Sequence, residues 1–205
     1  MHPESTYDQP RPQGLPDDGR LAGFRRLALA AQVLIGVQTV WNLVLGAAGG
    51  TRSTLFRLSA PLTLVLFVAP IVVFLLWFRR CRLNADHLAP EGLQDSAGWA
   101  VGAWFVPVVM WWIPRRIALD IRRVSAPTSS PWLINAWWAA WLAMTLGAAL
   151  LPVLGVKSTG YSPYNLVPGL AAAVLAILVI QQLTSHQDAR LRALAQPAQH
   201  SALGS

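Results

Sequence analysis

Five stretches of this chain contain no Asp, Glu, Lys or Arg: Leu27–Thr51, Leu58–Phe78, Ser96–Pro114, Val124–Val156 and Ser158–Gln187. A helix needs about 20 apolar residues to cross the hydrocarbon of a bilayer. Four of the windows exceed that length, and they dictate an all-α integral membrane protein. Composition agrees: 12% of the residues are charged, against roughly 25% in an average soluble domain. The remaining window, Ser96–Pro114, has 19 residues, opens on Ser96, Ala97 and Gly98, and carries Pro107 in its middle.

The charges between the windows decide how that segment is read. If it crossed, Arg115, Arg116, Arg122 and Arg123 would move to the outside and the 16 basic residues would divide evenly between the two faces. If it entered and left on one side, only Arg52, Arg57 and Lys157 would lie outside. Short cytoplasmic loops collect Lys and Arg, so the second arrangement is expected, with both termini cytoplasmic in the cell membrane. Proline suits the turn because it removes a backbone donor. Irregular backbone at that depth must be shielded by protein.

The expected layout has four transmembrane helices at about 27–48, 58–78, 131–155 and 164–184, with a re-entrant or half-buried Trp/Pro-rich segment at 97–113. These lie in a membrane domain of residues 21–190. Residues 1–20, polar and Pro-rich, read as a disordered cytoplasmic tail, and 191–205 as a polar C-terminal tail. Leu27–Gly46 reads as an uncleaved anchor: Gly46-Ala47-Ala48 mimics a cleavage site, but the apolar run is longer than the 7–15 residues typical of a signal.

After Pro114, a proline placed for the first helical turn, a basic amphipathic helix is expected over 114–125. Ile113, Ile117, Ile121 and Val124 share one side, with Arg115, Arg116, Arg122, Arg123 and Asp120 opposite and Leu119 breaking the pattern. Such a helix lies in the interface with its arginines toward anionic head groups. The lipid head-group or phosphate candidates are therefore Arg79, Arg80, Arg82, Arg115, Arg116, Arg122 and Arg123. The net charge of +7 follows from the same rule, and no nucleic-acid partner is expected because no basic domain is present.

The run Gly98-Trp99, Trp104-Phe105-x-Pro107, Trp112-x-Pro114 and an Arg-rich helix, with Arg82-x-Asn84-Ala85 upstream, resembles a family of actinobacterial membrane proteins, domain of unknown function (DUF) family 4328. The likeness extends over roughly residues 25–190. It implies a membrane class and no established activity. Where the family pattern reads Pro-x-x-Asn-Leu-Trp-x-Pro, this chain has Met110 and Trp111, so the dip is more apolar and aromatic, and any role of that Asn is lost.

Eight of the ten tryptophans fall between Trp99 and Trp141. Trp77, Trp99 and Trp132, like Trp111 and Trp112, suit a membrane interface, where indoles prefer the boundary. Trp137 to Trp141 lie deeper, roughly 9–15 Å from Pro131 at about 1.5 Å per residue. Packing against the re-entrant segment explains them simply. A sharper expectation is an aromatic-walled pocket of Trp104, Trp111, Trp112, Trp137, Trp138 and Trp141 for an isoprenoid, another apolar small molecule, or a carbocation stabilised by ring faces.

No ionisable group falls deep in a span, so the usual marks of an ion pathway or coupled transporter are missing. Gln32, Gln38, Asn42, Asn135 and Asn165 are placed to bridge helices. One cysteine, Cys81, and scattered histidines give no metal cluster. The leading expectation is a non-catalytic protein that binds membrane lipids or a membrane protein partner, with no cofactor. The alternative is a small enzyme of cyclase or prenyltransferase type acting on an isoprenoid-like substrate. There Asp86, Asp95 or Asp120 would supply acid or, with Mg²⁺, hold a lipid diphosphate.

Overall fold

The computed structural model describes residues 18–89, 95–156 and 161–203, except for the side chains of 18–20 and 195–203. Of the tail expected over residues 1–20, residues 1–17 lie outside the described residues, as does Lys157. Seven α-helices follow one another among the described residues: α1 (Asp18–Ala47), α2 (Thr54–Leu58), α3 (Ala60–Leu88), α4 (Trp99–Gly102), α5 (Ile113–Ser125), α6 (Trp132–Val153) and α7 (Pro163–Leu203). No strand occurs among the described residues. Helices α1, α3, α6 and α7 are long and apolar enough to cross a membrane. At the end of the bundle that carries α5 they run past the charge-free windows: α1 starts at Asp18, α3 reaches Leu88, and α7 continues to Leu203.

Helix α1 lies against α3 and α7, and α7 against α6. Polar ties join α3 to α1 and to α7 alongside the apolar packing. The Trp41 indole donates to Thr63 Oγ1 at 3.1 Å (α1 to α3), and the Trp77 indole to Thr184 Oγ1 at 3.0 Å (α3 to α7). Gln187 is fully buried and donates from Nε2 to the Cys81 carbonyl at 2.8 Å. In an apolar solvent such bonds have few competitors and fix which helix faces meet. At the opposite end the chain reverses through Gly49 (φ 100°) and Gly50 (φ 65°), a conformation that glycine adopts without a Cβ penalty. A Cβ on Gly46 would stand 2.7 Å from Leu166 Cδ1, so α1 approaches the start of α7 closely there. A Cβ on Gly102 would meet the ring of Trp99 at 3.6 Å.

Segment 97–113 does not form a crossing helix. It consists of the single turn α4, a bend through Pro107, and a 3₁₀ turn at Val109–Trp111. Its two ends lie together, because the Arg116 guanidinium, beyond the segment, donates to both Asp95 carboxylate oxygens just before it, at 3.0 and 2.8 Å.

Helix α5 forms where the basic amphipathic helix is expected, over Ile113–Ser125. Its apolar side is seated on the ends of α3, α6 and α7, and Ile117, Ala118, Ile121 and Ser125 are buried. The buried face is turned from Ile113 and Val124, both only half-buried, toward the stripe of Pro114, Ala118 and Ser125. Small side chains there let the helix approach closely. Arg122, on the shoulder of that stripe, is buried with it.

Candidate functional site

The space between α3 and α6 is taken by Trp104, carried on the chain just after α4. Its ring stands nearly perpendicular to Phe74 (5.6 Å, 88°) and Phe78 (6.2 Å, 85°) of α3 on one side. On the other it meets Trp141 (5.6 Å, 89°), Trp138 (6.0 Å, 68°) and Trp137 (6.3 Å, 48°) of α6. Edge-to-face pairing sets positive ring edges against negative ring faces, so Trp104 acts as a wedge between two helices. Its own Nε1 is buried without an acceptor among the described residues. The limb returning from the dip is tied to the same cluster, because the Trp138 indole donates to the Trp111 carbonyl at 3.1 Å.

Of the six tryptophans expected together, Trp104, Trp137, Trp138 and Trp141 meet ring to ring. Trp111 contributes its backbone, while its own ring and that of Trp112 are exposed. Phe74 and Phe78 complete the cluster unforeseen. Their signal was the spacing of four residues on one face of α3, hidden in a continuously apolar run.

Above the wedge lies a basic rim. Arg79 and Arg80 are exposed and have no carboxylate partner among the described residues. Arg115 donates to Asn135 Oδ1 at 3.0 Å, and Arg123 pairs with Asp120 at 2.8 Å. Two members of the expected head-group set face inward. Arg82, 2% exposed, joins Asp86 and the Asp95 carbonyl. Arg122, 8% exposed, holds the Ser129 carbonyl. Both tie chain turns together and are withdrawn from solvent, because each guanidinium satisfies a carbonyl that would otherwise be stranded near the interface. The rim also contains a tie that sequence reasoning missed, from Arg190 Nε to the Ser125 carbonyl at the C-terminus of α5 (3.3 Å).

Asp86, Asp95 and Asp120 each pair with an arginine, and Glu91, beside them in sequence, lies outside the described residues. Among the described residues no three His, Cys, Asp or Glu side chains come together as a metal site.

Residues 47–185 match the family described as Domain of unknown function (DUF4328). The chain belongs to this family. The wedge, α5 and α6 of this DUF4328 protein fall wholly inside the matched stretch, whereas nearly all of α1 and the last part of α7 lie outside it. Searches of curated proteins and of solved structures returned no match. The DUF4328 description assigns no activity, so function has to be argued from the rim and the wedge.

Proposed function

We propose that this is a non-catalytic protein of the cytoplasmic membrane, with both termini inside, that binds anionic lipid head groups at the rim formed by α3 and α5. The observation that carries this reading is the pair Arg79 and Arg80, exposed at the end of a spanning helix and free of carboxylate partners among the described residues. Exposed cations at that level attract anionic lipid by roughly 1 kcal/mol each. Arg123 adds to them at the outer face of α5, where it is 68% exposed despite its local pairing with Asp120.

The enzyme alternative, a cyclase or prenyltransferase working on an isoprenoid with Mg²⁺, needs free carboxylates at this rim. Arginines already occupy Asp86, Asp95 and Asp120, and that favours the binding reading. The two separate in one experiment: purification in mild detergent, followed by mass spectrometry of the retained lipids. Anionic phospholipid should be enriched over the membrane extract, depleted in R79A/R80A/R123A, and unchanged in D86N/D95N/D120N. A discrete isoprenoid-like species, lost in W104A/W138A, would overturn the binding reading in favour of the enzyme.

A further inference from the structure

On the side of the bundle away from the wedge, α1 and α7 leave an open groove of about 280 Å³. At its rim Arg25 donates to Asp188 (Nε to Oδ1, 3.0 Å), and Arg192 approaches the same carboxylate at 3.5 Å. Two cations share one anion, so among the described side chains the rim keeps one positive charge uncompensated. The groove then descends along matching positions of two antiparallel helices. Gln32 lies two turns below Arg25 and Gln181 two turns below Asp188, each roughly 10.5 Å deeper at 1.5 Å per residue.

Polar groups at that depth need partners. Gln181 is exposed on the spanning helix and its amide has no partner among the described residues. Gln32 makes only a long 3.5 Å bond to the Ile177 carbonyl. Thr184, also lining the groove, accepts from Trp77 and has its own hydroxyl proton left to donate. The groove thus presents a phosphate-sized positive charge at the interface, hydrogen-bond donors below it, and Leu29, 61% exposed, along the wall.

We propose that this groove is a specific site for one glycerophospholipid of single negative charge. Its phosphate sits at Arg25, and its ester carbonyls accept from Gln32, Gln181 and Thr184. The site shares no residue with the α3/α5 rim. A free phosphate would satisfy Arg25 but leave the amides unpartnered, and for that reason the occupant is a lipid.

The test is native mass spectrometry of the full chain in mild detergent, titrated with phosphatidylglycerol and, separately, phosphatidylcholine. One phosphatidylglycerol adduct should persist at activation energies that strip phosphatidylcholine. The charge-neutral double variant Q32L/Q181L should weaken it about tenfold, the loss expected for two modest hydrogen bonds, and R25A should weaken it comparably. R79A/R80A should leave it intact, which separates this site from the rim of the proposed function. Unchanged melting temperatures of the groove variants would exclude misfolding as the cause, and if R25A unfolds, R25Q with an intact fold replaces it. Three results would overturn the proposal: an adduct unaffected by Q32L/Q181L, displacement of the adduct by millimolar glycerol phosphate, or a dimer that splits on Q181L and carries no retained lipid.

Discussion

Val108 has φ 70° and ψ −53°, and the Val109 N–H donates to the Pro107 carbonyl at 2.8 Å. This is a γ-turn of the rare, strained hand, centred on a β-branched residue that is 62% exposed. Such strain costs on the order of 1–3 kcal/mol, whereas placing glycine there costs about 0.5–1 kcal/mol of backbone entropy. V108G is therefore expected to raise the melting temperature in detergent, and a fall would show that the valine side chain holds the turn. The arginines divide by burial in the same way. R82A removes charge-assisted bonds from a buried position and should cost about 1.5–3 kcal/mol, whereas R79A should stay within about 0.5 kcal/mol. Comparing their denaturation midpoints checks both values.

Helix α1 meets the start of α7 at Gly46, where even a methyl group would press on Leu166. G46L should separate the two helices and cost about 1–3 kcal/mol through overpacking, while G23L, at a glycine whose added Cβ would meet nothing, should be close to neutral. Thermal unfolding of the two variants side by side tests this. The four long helices were legible because charge-free length is a coarse property that any lipid-crossing helix must satisfy. The seating of α5 was only partly so. Ile117 and Ile121 announced a buried side, but burial is centred on Pro114, Ala118 and Ser125, small residues that a hydrophobic tally passes over and close packing rewards. Arg122 followed them inward for the same reason. Gln187 and the Arg25–Asp188 pair were not legible, because each depends on which faces of α1, α3 and α7 meet. The spacing Arg25, Leu29, Gln32 matched by Gln181, Ser185, Asp188 acquires meaning only once α1 and α7 are neighbours.

For the whole molecule, the four long helices and the non-crossing segment 97–113 imply that the α5–α6 turn and the α1–α2 turn lie on opposite sides of the membrane. With C81S as background, a cysteine at exposed Thr128 should resist membrane-impermeant thiol reagents in intact cells, and one at exposed Thr54 should react. The reverse pattern would invert the orientation, and labelling of both would restore a crossing for 97–113. The Trp104 wedge also bears on how the molecule is assembled. Neighbour order around the bundle is α3, α1, α7, α6, while the ribosome delivers α1, α3, α6, α7. Helix α6 thus emerges before its long-helix neighbour exists. Until α7 arrives, it can hold to the finished α1–α3 hairpin through the Trp104 rings and through Arg115 on α5. In the finished fold the Trp104 rings are thus a link between α6 and α3 that does not run through α7.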